Sequence, residues 1–371
     1  MHSYDIELLL DEPRSEVFRS RSTIRFSCAR PSAYADLAAS AVESAVLNGR
    51  PLDIAQAWDG ARLRLTGLEA VNKLEVEGVF GFAVSGRGLR RASDPDGTGY
   101  VYGIHYPDAA SRVFCCFDDP KLRARIDLRI SAPTGWTSLT NGTAARLAPY
   151  LVAGAAGPWA RLHQRTASAE VPLAVYAQRA RSGEQDLGRR IAELLAESIA
   201  WCEQALGVPY PYEKCDAVFV RDLPPLALST PGLILFADRA FDRLETRQYA
   251  VTVLCHEVAH SWLGGLVDCA GHPWLVEAAA TYLARTAVLD LVPGARPWDM
   301  DDPPAPDAGY AEDAELIRSV EDTIGREPVL RGLGEYCRRF AGGNAGPVEL
   351  AAFWSELGGR DVTDWSFNRN R

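Results

Sequence analysis

From residue 4 to residue 170 the chain is written in short runs that alternate apolar and polar positions, with Pro and Gly recurring between them. Alternation at period two gives a strand one buried and one wet face, so YDIELLL, RSTIRFSC, ARLRLTGL, KLEVEGV, YVYGIHY and RIDLRISAP predict strands of an antiparallel sheet domain. LNGRPLD sets Asn48-Gly49 between short apolar runs, the signature of a two-residue hairpin turn. The pattern changes between residues 165 and 185. In LGRRIAELLAESIAWCEQALG apolar residues recur at three and four, and Gly207 supplies the stop, which predicts a long helix. DAVFV and GLILF read as two further strands, followed by a helix around HEVAH, another over EAAATYLARTAVLDL and more helix to the end. The expected class is α+β, with a β domain over residues 1–168 and a mainly helical domain with a small sheet over 169–371.

Composition narrows the class of partner. The 371 residues carry a formal net charge of −10 and no basic tract, which disfavours nucleic acid and anionic membrane. MHSYDIELLLDEPRSE has no basic leader and too short an apolar run for a signal peptide or a membrane span, so a cytoplasmic protein is expected. The eight cysteines form no C-x-x-C pair and read as reduced, buried thiols.

The chemistry concentrates in LCHEVAHSWLGG, residues 254–265. On a helix, positions four apart project from one face a turn apart, so His256 and His260 can share one zinc ion. Glu257, turned by about 100° from His256, can serve the attacking water instead of the metal. A hydrolytic zinc needs three protein ligands and one open position. Downstream, GHPWLVEAAATYLA offers Glu277 on the next helical run, and a helix packed antiparallel to the first would return it to the same face. His272, in a Gly-His-Pro turn, and Asp268 are the competitors.

HEVAHSWLGGLVD followed by WLVEAAATYLA resembles the M1 (aminopeptidase N) family of gluzincin zinc metallopeptidases, which includes leukotriene A hydrolase. The family pattern is H-E-x-x-H-x-W-x-G-N-x-V-T and then W-L-N-E-G. Trp262, Gly264, Val267, Trp274, Leu275 and Glu277 match it, with sixteen residues from the second His to the Glu where the family has eighteen. SRVFCCFDDPKLRARIDLRISAP, ALGVPYPYEKCDAVFV and YCRRFAGGNAGPVELAAFWSELGGRDV extend the likeness over most of the chain. It implies a saddle-like β domain joined to a thermolysin-like catalytic domain with the site in the cleft between them. It also implies one zinc on His256, His260 and Glu277, with Glu257 as general base. In DAGYAEDAELIRS, Tyr310 falls where the family has the Tyr of Y-x-K-G, which steadies the tetrahedral intermediate, though Glu312-Asp313 replaces the Lys-Gly.

The resemblance weakens where the family reads its substrate. The Glu of G-A-M-E-N, which holds a free α-ammonium group, is Ser229 in LALSTPGLILF, beside Leu228. The second anchor in the preceding β region is missing too, where YGIHYPDAASR offers Ile104 and Tyr106. The Asn of G-N-x-V-T is Gly265, and the Asn before the third ligand is Val276. The chain stops at WSFNRNR, about where the family's catalytic domain ends, so an open cleft, or one covered by a partner or a second copy, is expected. The implied function is a zinc peptidase or amide hydrolase acting on a peptide or peptide-like small molecule, with Leu228, Ser229 and Tyr106 at the substrate. A non-hydrolytic scaffold or a biosynthetic enzyme on the same fold is the alternative.

Overall fold

The structure, a computed structural model, describes residues 1–10, 15–142, 146–269, 271–299 and 310–365. The chain divides into two compact units, residues 1–160 with 178–180 and 230–233, and residues 161–177 with 181–229 and 234–371.

In the first unit the period-two segments form sheets. A seven-stranded sheet runs in the order Arg146–Leu147, Ala124–Ser131, Ser3–Leu9, Val17–Ser27, Val71–Gly81, Ala41–Leu47 and Arg50–Pro51. Its strands bury every second residue, Tyr4, Ile6 and Leu8 in one and Phe18, Ile24 and Phe26 in the next. The opposite face carries charge in register: Arg21 lies between Glu7 and Glu77 on the flanking strands, at 3.5 and 3.0 Å. Such exposed pairs contribute little stability but keep that face wet. Asn48 and Gly49 take φ of 51° and 76°, the left-handed geometry that joins two strands with a matching twist. One pair departs from the antiparallel pattern: Ser3–Leu9 runs parallel to Ala124–Ser131. A parallel neighbour needs a long connection, and more than a hundred residues separate the two. A four-stranded sheet, Thr137–Thr140, Gly154–Gly157, Gly99–Ile104 and Gly88–Ser93, and a two-stranded one, Ser32–Asp36 with Arg62–Thr66, complete the unit.

The second unit sets helices around a five-stranded sheet ordered Ala160–Thr166, Pro172–Ala177, Cys215–Val220, Leu233–Ala237 and Ala227–Thr230. Cys215–Val220 and Leu233–Ala237 are buried at every position, as strands covered on both faces must be. Ala227–Thr230 is one of its two edge strands, opposite Ala160–Thr166. The longer helices are α1 (Gln185–Leu206), α2 (Arg247–Ala259), α3 (Pro273–Leu291), α4 (Tyr310–Ile324), α5 (Arg326–Arg339) and α6 (Pro347–Gly358). Gly207 closes α1 with φ of 61°, the left-handed cap the sequence predicts. α2 is apolar around nearly its whole circumference, with Ala250, Val251, Val253, Leu254, Val258 and Ala259 all buried, which marks it as the central helix of the unit. α1 lies against it with Cys202 and Cys255 sulfur to sulfur at 3.7 Å, and all eight cysteines are free thiols, seven of them buried. Among the described residues no helix is long and apolar enough to cross a membrane.

Candidate metal centre

α2 ends at the second histidine. Ala259 is its last residue and His260 is the cap, still helical at φ −59° and ψ −17°, so His256 and His260 keep the one-turn stacking that a shared ligand requires. The chain then folds back on itself through backbone bonds from Gly265, Leu266 and Val267 to the carbonyls of His260, Ser261 and Trp262, at 2.9, 2.9 and 3.0 Å. Trp262 is fully buried and its indole donates to the Val208 carbonyl at 3.1 Å, which pins this turn to the end of α1. Gly265 is dictated by space. A Cβ there would fall 2.6 Å from the Tyr212 hydroxyl and 2.8 and 2.9 Å from the carbonyls of Ser261 and His260. Tyr212 thus fills the volume that a side chain at 265 would need.

Pro273 opens α3, where its missing N–H costs nothing. Glu277 follows one turn in. Its carboxylate oxygen lies 3.3 Å from His256 Nε2 and 3.5 Å from His260 Nε2, and the two nitrogens are 3.1 Å apart. Tetrahedral zinc with bonds of about 2.0–2.1 Å spaces its donors by roughly 3.3–3.4 Å, so three donor atoms at these separations fit one such ion. This is the metal-ligating cluster among the described residues. His272 and Asp268 are outside it: His272 caps α3 with its ring against Gly346, and the Asp268 backbone pairs with Gly343 and Ala345.

The far nitrogens of both imidazoles are engaged. His256 Nδ1 lies 3.3 Å from the Thr281 hydroxyl, and His260 Nδ1 lies 3.4 Å from the Leu263 carbonyl. Both Nε2 atoms are thereby turned toward Glu277, and neighbours of this kind orient metal ligands. Thr281 is one turn beyond Glu277. Glu277 thus reaches both imidazoles and Thr281 reaches His256, so α3 runs along the face of α2 that carries the two histidines. Sequence reading passed over Thr281, although its four-residue spacing from Glu277 was the available signal. Replacing Thr281 by Val is expected to weaken zinc binding about 10- to 100-fold at unchanged fold, measured by chelator competition, with Ser restoring it. Equal affinity in the Val variant would remove Thr281 from the site.

The electrostatics follow from burial. Burial pushes the Glu257 carboxyl up, partly offset by the imidazoles of His256 and His260, with Glu277 adding to the rise. Burial would lower His260, but the Glu277 carboxylate outweighs it and carries that imidazole up to about 9. Burial would raise Glu277, yet the neighbouring imidazoles, His260 foremost, hold it well below the usual carboxylate range. Glu257 itself is buried and lies outside the three-donor cluster.

Ser229 and Leu228 sit half-buried on the edge strand Ala227–Thr230. The Ser229 hydroxyl donates to the Glu257 carbonyl at 2.7 Å, and the pleat turns Leu228 toward the other face. Tyr106 belongs to the first unit, with its ring edge-on to Tyr150 at 5.5 Å. Tyr310 begins α4, and its side chain lies outside the described residues.

Residues 191–303, which include the three-donor cluster and Glu257, match the peptidase family M1 domain. Across 98% of its length the chain is 28% identical to an aminopeptidase N of Streptomyces lividans, covering 49% of that protein. It is 23% identical to a leucyl aminopeptidase of Saccharolobus solfataricus over 87% of the chain and 48% of the relative. It is 25% identical to the mitochondrial aminopeptidase 2 of Saccharomyces cerevisiae over 69% of the chain and 32% of the relative. The chain thus spans a third to a half of the length of these relatives. Domain match and near full-length similarity liken the chain to the aminopeptidases of peptidase family M1.

Proposed function

We propose that the chain hydrolyses a peptide or amide bond, with His256, His260 and Glu277 holding one zinc ion and Glu257 moving the proton. The observation that carries this reading is the spacing of the three donor atoms, 3.1 to 3.5 Å apart, with both outer imidazole nitrogens tied off. Zinc, when bound, polarises the scissile carbonyl and lowers the pKa of its water toward neutrality. Glu257 takes the proton of the attacking water and returns it to the leaving nitrogen. Its burial, which raises the carboxyl's proton affinity, suits it to both halves of that transfer. Tyr310, by its place in the resemblance, donates to the developing oxyanion.

Specificity follows from Ser229. An aminopeptidase of this family holds the substrate's ammonium with a carboxylate at that position, a charge-assisted bond of about 1.5–3 kcal/mol. Serine offers only a neutral oxygen, so the preferred substrate is a peptide-like molecule whose amine is blocked or absent. Leucine and alanine p-nitroanilides compared with their N-acylated forms test this. An enzyme with the anchor favours the free amine by roughly 10- to 150-fold in kcat/KM, from that same bond energy. Here the acylated compounds are expected to match or exceed the free ones. A tenfold or greater preference for the free amine overturns the specificity, and no turnover of either series by zinc-loaded protein overturns hydrolysis in favour of a binding role.

A further inference from the structure

The hydroxyl of Ser229 is spoken for by an acceptor that the end of α2 leaves over. In a continuing α-helix the Ser261 N–H would bond the Glu257 carbonyl four residues back. Here the last turn tightens, and the Ser261 N–H bonds the Val258 carbonyl at 2.9 Å, with Trp262 N–H to Ala259 at 3.0 Å. The Glu257 carbonyl becomes one of the acceptors that a helix C-terminus must satisfy from outside. Ser229 supplies the donor at 2.7 Å. One bond therefore ties the edge strand Ala227–Thr230 to the residue that carries the buried carboxyl.

We propose that Ser229 is a positioning residue for Glu257. A hydroxyl carries a single proton, and here it goes to the Glu257 carbonyl, leaving only the neutral oxygen's lone pairs exposed to anything else. The bond fixes the backbone from which the Glu257 side chain springs, so the carboxyl keeps one position relative to His256, its neighbour in the chain. The position where the resemblance implies a carboxylate for an ammonium group instead carries a neutral hydroxyl that braces the Glu257 backbone. The kinetic half of this inference rests on the hydrolytic reading above, and the structural half does not.

The test compares zinc-loaded wild type, Ser229→Ala and Ser229→Thr. Hydrogen exchange over residues 254–263 reads the helix end without any substrate. Loss of one bond of about 0.5–1.5 kcal/mol is expected to speed exchange there by roughly two- to tenfold in the Ala variant, with Thr, which keeps the hydroxyl, near wild type. On an N-acyl amino-acid p-nitroanilide the Ala variant is expected to lose a similar factor in kcat at unchanged KM, rescued by Thr. Unchanged exchange in the Ala variant, or a rise in KM at unchanged kcat, overturns the assignment. Should wild type turn over no amide, the hydrolytic reading fails, and the exchange comparison alone decides whether Ser229 holds the helix end.

Discussion

Substituting Glu257 by Gln is expected to lower kcat on any amide substrate by on the order of a thousandfold while stoichiometric zinc remains bound. A positioned proton carrier contributes about 10²- to 10⁴-fold, and Gln preserves its shape while removing its ability to accept a proton. Zinc stays because Glu257 stands outside the cluster formed by His256, His260 and Glu277. The fold stays as well. The Glu257 carboxyl is buried, and burial already disfavours its charge, so a neutral amide of equal size removes a desolvation cost. The melting temperature should hold or rise. Metal analysis, a thermal melt and steady-state kinetics on one preparation check all three points. A variant that keeps a tenth of the activity would take the proton transfer away from this residue.

Much of this architecture was legible in the chain because it is local. Period-two burial in Ser3–Leu9 and Val17–Ser27, the left-handed Asn48-Gly49 turn and the Gly207 stop each depend on neighbours a few residues away. His256 and His260 were legible for the same reason, since helix geometry alone stacks them. Glu277 required one assumption about how the next helix packs, which no local pattern supplies; in the structure its carboxylate reaches both imidazoles.

What stayed hidden is made by distant segments and by departures from ideal helix. Gly265 reads in sequence as a lost asparagine. In space it is a point where Tyr212, 53 positions earlier, leaves no room for a Cβ. Ser229 reads as a lost carboxylate. Its partner arises because the last turn of α2 tightens and frees a carbonyl, an event no hydrophobic period reports. Thr281 passes for a polar residue on a buried helix until its hydroxyl is found beside His256. The parallel pairing of Ser3–Leu9 with Ala124–Ser131 likewise joins segments that share no local signal.

Replacing Glu277 by Ala is expected to be the most damaging single change, because it acts on binding before chemistry. Zinc held by a full set of protein ligands is worth about 10–16 kcal/mol, so one ligand of three or four accounts for roughly 3–4 kcal/mol, a loss of several hundredfold in affinity or more. The two imidazoles would not compensate. Their nitrogens sit 3.1 Å apart with the carboxylate oxygen 3.3 and 3.5 Å away, and that negative charge is what offsets the gathering of a dication beside buried groups. Glu277→Gln separates charge from shape, since it keeps a weak oxygen donor in nearly the same place. The expected order of zinc affinity is wild type, then Gln, then Ala, with activity at micromolar zinc undetectable in the Ala variant. Millimolar zinc should restore occupancy to the Gln variant first. Chelator treatment of wild type should abolish turnover and added zinc should return it, which ties the loss to the metal and not to the fold. If the Ala variant retains stoichiometric zinc after dialysis against a chelator, the ligand is some other residue and the geometry of α3 has been given the wrong role.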